Sequence, residues 1–204
     1  MRVCLWSILA ICSFSLTNGI PCFGQVSQSD LKLMQQAQKE YDAGQLAQAE
    51  RDFRELTKRL PSGIYAHIYL GQALFEQSKF LEAIGPYEKA RSLEKSGGKL
   101  TPDQSRILTD QLAIAYGMTG ELKKVHALLE DAVQQDPEYP LNYYNLACAS
   151  AEEGDKPKML ANLSLAFKYK DHALKGEQVP DPRADSSFRS YLQDPDFVRL
   201  IGYK

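Results

Sequence analysis

A chain of 204 residues is long enough for one domain with a sizeable core, and its 44% hydrophobic and 25% charged residues are the ordinary proportions of a globular protein. Twenty-four Lys and Arg against 26 Asp and Glu leave a formal charge of −2. That balance excludes the clustered basic footprint on which nucleic-acid binders rely.

The N-terminal stretch differs from the rest. Arg2 supplies a positive start, 3–16 is mostly apolar, and Thr17, Asn18, Gly19 and Pro21 then break the run before the next charge at Asp30. Cys22 and Gly24 place small residues at −3 and −1 of a cut before Gln25, as a signal peptidase requires. The expectation is a secretory signal peptide over 1–24 and an exported chain, periplasmic or secreted. An N-terminal membrane anchor is the alternative, although Gly19 and Pro21 sit badly in a spanning helix. A lipoprotein signal fits less well, because Ile11 precedes Cys12 and Pro21 precedes Cys22 where a small residue is needed. Cleavage removes Cys4, Cys12 and Cys22 and leaves Cys148 alone, so the mature domain would depend on packing rather than on internal disulfides.

From residue 30 onward, apolar residues recur at helical spacing in pairs of segments joined by short polar turns. The first pair covers about 30–61 and the second about 64–95. In the second, Ile64, Ile68, Leu70, Gly71 and Leu74 form one helical stripe and Phe80, Ala83, Ile84, Tyr87 and Ala90 the next, around the turn 77–79. Pro86, after Gly85, predicts a kinked or late-starting second helix, because Pro removes a helical hydrogen bond. An eight-residue insertion at 95–102, with Gly97 and Gly98, follows as the expected place for a bend. Thr101, Pro102 and Gln104 then give a capped helix start. The third pair covers about 106–137, and Tyr139-Pro140 opens a fourth at about 140–171. Beyond it, 179–182 is linker-like, and two short amphipathic pieces follow at 186–192 and 195–201, the last with an Asp194 cap and Pro195 in its first turn. Phe188, Tyr191, Leu192, Phe197, Leu200 and Ile201 are too apolar for a solvated tail, so 172–204 is expected to cap the fourth unit.

The four units share a period. Ala37/Gly71 and Ala113/Ala147 are 34 residues apart, as are Ala49/Ala83, Val125/Met159, Phe53/Tyr87, Leu129/Leu163, Leu56/Ala90 and Ala132/Ala166. Gly44, Gly120 and Gly154, with Ser78 once in their place, mark a common point, and Pro61 and Pro137 close two units. This pattern resembles the tetratricopeptide repeat. Asn145 to Cys148, Gly154 to Lys156 and Asp194 to Phe197 are similar to the closing segment of many bacterial members. The resemblance implies an all-α, right-handed superhelical solenoid of antiparallel helix hairpins that works as a non-enzymatic interaction scaffold. The small residues then sit where the two helices of a hairpin cross.

The resemblance also implies that the first helix of each unit lines a concave groove. Its positions here are Leu31, Met34, Gln38 and Tyr41; Tyr65, Ile68, Gln72 and Phe75; Ile107, Asp110, Ile114 and Met118; and Leu141, Tyr144 and Cys148. Aromatics and Met on such a wall suit an extended peptide or a partner helix, unless the C-terminal segment or a second copy covers them. Members that clamp a peptide's terminal carboxylate use Lys, Arg and Asn, whereas Met34, Gln38, Tyr69, Ile107 and Gln111 offer no cation. A protein or peptide held through apolar contacts and amides is therefore the expected partner, with self-association as the alternative and neither nucleic acid nor a small-molecule substrate expected.

Chemistry finds little footing. His67, His126 and His172 are each more than forty residues apart, without metal-ligand spacing. No Gly-x-Ser-x-Gly elbow or phosphate-cradling glycine loop occurs. Cys148 has no adjacent Lys, Arg or His to lower its pKa and reads as a small core residue. The acidic pairs Glu152/Glu153 and Asp181/Asp185 read as solvated charge rather than Ca²⁺ ligands. Accordingly no catalytic residue, metal or cofactor is expected, and an enzyme or metal protein is the weakest reading.

Overall fold

The computed structural model describes residues 26–202; the signal-peptide reading of 1–24 concerns residues outside that range. Among the described residues the chain is all-α, a run of consecutive helix hairpins without a strand. Helices α1 (Gln28–Asp42) and α2 (Leu46–Arg59) form the first hairpin, and α3 (Ile64–Glu76) and α4 (Phe80–Lys95) the second. Helices α5 (Pro102–Met118) and α6 (Leu122–Gln135) follow, then α7 (Pro140–Glu152) and α8 (Lys156–Lys168). A short 3₁₀ turn at Ser186–Tyr191 and helix α9 (Pro195–Gly202) end the described chain.

The turn inside each hairpin explains the recurring glycine. Gly44, Gly120 and Gly154 hold φ of 72°, 78° and 78°, and Ser78 holds 58° at the equivalent place. Such left-handed backbone costs an L-residue about 1–2 kcal/mol and glycine almost nothing. The chain can therefore leave one helix and re-enter the next within three residues.

Local signals also set the helix ends. The backbone N–H of Thr101 donates to Gln104 Oε1 at 2.9 Å while Gln104 N–H donates to Thr101 Oγ at 3.2 Å, a reciprocal capping box. It starts α5 at Pro102, so the insertion is divided between a loop at 96–101 and an added first turn of α5. Asp194 Oδ1 accepts from the N–H groups of Asp196 and Phe197 and opens α9 in the same manner. Pro86 does not delay α4, which starts at Phe80 and continues to Lys95. The carbonyl four residues earlier, on Glu82, loses its helical donor, but Glu82 and Gly85 lie on the exposed flank, where water can take its place.

By internal packing the described chain forms two units, 26–115 and 116–202. In the first, Ala37, Ala49, Phe53 and Leu56 are fully buried, and Phe53 stacks on Tyr69 of α3 with 5.4 Å between ring centroids. Tyr87 of α4 is fully buried against Gly71 of α3, where an added Cβ would lie 2.4 Å from the ring. Its hydroxyl donates to Gln111 Oε1 of α5 at 2.9 Å, and Arg91 donates to Thr109 Oγ at 2.8 Å in a buried pair. Glu50 of α2 ties the hairpins together, accepting from Arg54 at 2.8 Å, Gln77 at 3.0 Å and Lys79 at 2.7 Å. Burial pushes its carboxyl pKa up, but the bonds from Lys79, Arg54 and Gln77 outweigh that and hold it at about 2.

In the second unit α7 is buried from Asn142 to Ala151. Tyr144 and Cys148 of α7, Met159 and Leu163 of α8, Phe188 and Phe197 form one apolar cluster. The ring of Phe188 meets Tyr144 edge-on at 5.8 Å and lies against Phe197 at 5.6 Å. Lys156 fastens the outside of this contact, donating to Asp194 at 2.6 Å and Asp196 at 2.9 Å.

Candidate partner-binding face

Within 26–115, the candidate positions on α1, α3 and α5 differ in how far they emerge. Leu31 is 39% exposed, whereas Met34, Gln38, Tyr41, Tyr65, Phe75, Ile107, Asp110 and Ile114 are half-buried. Ile68 and Gln72 are buried, at 4% and 7% exposure, so they form the floor and the others the relief. The hydroxyl of Tyr65 donates to Gln104 Oε1 at 3.1 Å, joining α3 to the start of α5. Phe75 is braced edge-on by Phe80 at 5.1 Å. Gln38 donates from Nε2 to Asp42 at 2.9 Å, and its Oε1 is buried with no donor among the described residues. These contacts fix an apolar and amide-bearing relief whose aromatic rings stay partly open to solvent.

Three tyrosine hydroxyls at this face are held above their ordinary range. Burial pushes the Tyr41 hydroxyl pKa well up, and the charges of Glu76 and Asp42 add to the shift. Tyr69 is pushed up to about 12, by burial first and then by Tyr65 and Asp42. Tyr87 is driven up mainly by its burial, with Tyr41, Glu76 and Asp110 adding to it. The sequence positions chosen for the groove omitted Asp42 and Glu76. Both carried a signal, since they share the 34-residue spacing of Ala37 and Gly71.

In the unit 116–202 Met118 and Leu141 are half-buried, while Tyr144 and Cys148 are each 1% exposed beneath the C-terminal segment. The Tyr144 hydroxyl donates to Asp185 Oδ2 at 3.1 Å, and the Cys148 thiol faces the same oxygen at 3.6 Å. Asp185 is itself buried and accepts the Ser187 N–H at 2.9 Å. Tyr144 is thus a core residue of this unit, and Asp185 is a buried acceptor rather than solvated charge. The C-terminal segment supplies what covers them.

Of the histidines, His67 lies on α3, against the Pro61 carbonyl at 3.1 Å. His126 on α6 pairs with Glu153 at 3.0 Å, and His172 with Glu138 at 3.1 Å. No group of three or more His, Cys, Asp or Glu among the described residues is placed to hold a metal ion. No described helix is long and apolar enough to cross a membrane.

Residues 34–98 match the family model described as Tetratricopeptide repeat. Rhomboid protease GluP of Bacillus subtilis (strain 168) is 33% identical over 91 residues, which are 45% of this chain. The match spans only 18% of GluP. Among solved structures, the MamA RS-1 ArsTM double mutant superposes with a TM-score of 0.61 at 17% identity, over 70% of this chain and 76% of that one. YrrB, described as a TPR protein with an unusual peptide-binding site, gives 0.59 at 14% identity, over 85% and 84% of the two chains. At these identities the structural likeness is one of fold. Together with the match over 34–98, it supports a tetratricopeptide-repeat protein, a class of stacked hairpins that generally serve as protein-binding scaffolds.

Proposed function

We propose that this chain is a non-enzymatic interaction module whose first-helix face in 26–115 holds a protein or peptide segment. The observation that carries the reading is the half-exposure of Met34, Tyr41, Tyr65 and Phe75 on consecutive first helices. Large apolar side chains kept partly in water supply contact area at low entropic cost once a partner arrives. YrrB has a peptide-binding site on a similar fold, which favours a peptide as the occupant here. The second reading is a self-associating element, in which another copy covers the same face.

Met34→Ala/Tyr65→Ala tests both readings. Quantitative cross-linking and capture from cell extract should lose the partner by about tenfold, as removal of central aromatic contacts does, while circular dichroism stays unchanged. Unchanged recovery of every captured protein refutes the assignment of the face. Capture of the bait alone, with a concentration-dependent dimer abolished by the double substitution, selects self-association.

The same proposal places the module outside the cytoplasm, from the signal-like composition of 1–24. N-terminal sequencing of the protein from envelope and culture fractions tests it. A terminus at Gln25 agrees with export, an intact N-terminus in the membrane pellet selects the anchored alternative, and an intact one in the cytosol refutes both.

A further inference from the structure

One carboxylate of the first hairpin is buried where the later repeats keep apolar or small side chains. Glu40 of α1 is 6% exposed. Counted from Ala37, Gly71, Ala113 and Ala147, its counterparts in those repeats are Leu74, Tyr116 and Ser150, all buried. One turn earlier, Gln36 stands where they have Leu70, Leu112 and Leu146. A polar end keeps a run of hairpins soluble, which accounts for the exposed Gln36. It does not account for a carboxylate withdrawn from water, because a buried charge is costly unless it is paired.

Across the hairpin stands Asp52 of α2, which feels the charge of Glu40. Each acid is held at one oxygen by the amide one turn earlier on its own helix. Gln36 Nε2 donates to Glu40 Oε1 at 2.6 Å, and Gln48 Nε2 donates to Asp52 Oδ1 at 3.4 Å. The other oxygen of each acid has no hydrogen bond among the described residues, and that of Glu40, Oε2, is buried. Buried polar atoms are almost always satisfied, so a hydrogen belongs at this oxygen.

No described cation supplies it. Arg51 of α2 acts on Asp52 by its charge but gives its hydrogen bond to Gln48. On α1, Lys39 is exposed, and Asp42 accepts from Gln38. Helix α3, which packs on α2, has neither Lys nor Arg. Its His67 turns to the Pro61 carbonyl, and its Glu76 is shifted by burial alone. Burial first, and then the charge of Glu40, raise the Asp52 pKa, as expected where two carboxylates meet without a cation between them.

We propose that Glu40 and Asp52 share one proton, the carboxyl of one donating to the free oxygen of the other, so that the first hairpin carries a pH-sensitive clasp between α1 and α2. Two carboxylates at one site give up their protons in separate steps, the second well above the ordinary range of about 3.9–4.3. In the unfolded chain the two acids are apart and titrate within that range. Between that range and the upper step, the fold holds one more proton than the unfolded chain does. Its stability therefore falls as pH rises through the upper step, and α1 is joined to α2 more firmly in mildly acidic surroundings than at neutral pH.

The test is an NMR titration of the side-chain carboxyls in the purified full chain, labelled with carbon-13 in Asp and Glu, beside urea unfolding across the same pH range. The expected result is a coupled, two-step titration of Glu40 and Asp52 with the upper step above about pH 5. Glu40→Gln and Asp52→Asn each put an amide hydrogen where the proton was. Their urea midpoints should exceed the wild-type value at neutral pH and lack most of its fall between about pH 5 and pH 7.5. Independent titration of the two carboxyls in the ordinary range overturns the shared proton. So does a Glu40→Gln protein that is no more stable than wild type at neutral pH and keeps the same pH dependence. If a variant does not fold, the wild-type titration decides alone, since a lone buried acid gives one step and not two coupled ones.

Discussion

Gly71→Ala should destabilise the protein although it places a better helix former in the middle of α3. Alanine in a helix interior is worth about 1 kcal/mol over glycine, and Ala37, Ala113 and Ala147 stand at the same repeat position. The difference lies in the partner. A Cβ on Gly71 would lie 2.4, 2.5 and 2.8 Å from three Tyr87 ring atoms, against 3.4–4 Å for ordinary contact. The ring must retreat by about 1 Å in a fully packed site, an overpacking that costs about 1–3 kcal/mol. Retreat also strains the 2.9 Å bond from the Tyr87 hydroxyl to Gln111, and loss of a buried partner adds about 1–3 kcal/mol. Less the helix gain, the net expectation is a loss of about 1–5 kcal/mol, read as a lower urea midpoint at constant m-value. In a Tyr87→Leu background, which copies Leu129 and Leu163 of the later repeats, Gly71→Ala should become neutral or stabilising, a coupling of about 2 kcal/mol. A Gly71→Ala protein stabilised by the full propensity gain in both backgrounds would refute the ring contact as the constraint.

Two further substitutions test other joints. Ser78→Gly should stabilise by about 1 kcal/mol, because among the described residues Ser78 alone holds a left-handed φ, 58°, with a side chain; an unchanged denaturation midpoint would show that the turn is not strained. Glu50→Gln should be less stable than wild type at neutral pH. The Glu50 pKa is about 2 in the fold and about 4.3 unfolded, so its contribution is whole above the unfolded value and lost as pH falls from there through about 2. The two proteins' stabilities should therefore converge over that window, and a constant difference across it would remove Glu50 as the origin.

The features read correctly from sequence are those whose cause lies within a few residues. Gly44, Gly120 and Gly154 needed only a left-handed turn, and Thr101 with Gln104, or Asp194 with Pro195, needed only a helix start. On α3 the stripe Ile64, Ile68, Leu70, Gly71 and Leu74 was legible and all five are buried, whereas Ala66, Tyr69, Gln72 and Ala73 are buried outside it. Exposure on the candidate face was not, since Ile68, Gln72 and Phe75 share one face of α3 and only packing against neighbours decides that the first two are buried. For Tyr144 the cap expected on the fourth unit left its cover open, but its partner Asp185 lies 41 residues on, beyond the last helical pair, where no periodicity marks it. Of the two outcomes Pro86 offered, the late start does not occur, since α4 begins at Phe80.

The contrast between α3 and α7 carries a further prediction. Both helices are apolar around most of their circumference, and equivalent positions agree: Tyr65 and Leu141 are half-buried, Ile68 and Tyr144 buried. They differ in what supplies the cover, since on α7 the C-terminal segment lays Phe188 on the Tyr144 ring and offers Asp185 to its hydroxyl. Covering that face removes the aromatic surface of Tyr144 from water at about 25 cal/mol per Å² and satisfies its hydroxyl. Truncation after Pro182 should then leave α7 folded on α6 and α8 but open its outer face. Cys148, 1% exposed and 3.6 Å from Asp185, is the reporter. Labelling by a maleimide, resolved to the Cys148 peptide by mass spectrometry, should quicken by at least about tenfold in the truncated chain, since a buried thiol reacts only when local opening exposes it. If labelling of Cys148 is no faster while the far-ultraviolet spectrum is retained, the burial of α7 arises within the hairpins and the C-terminal segment is only an appendage.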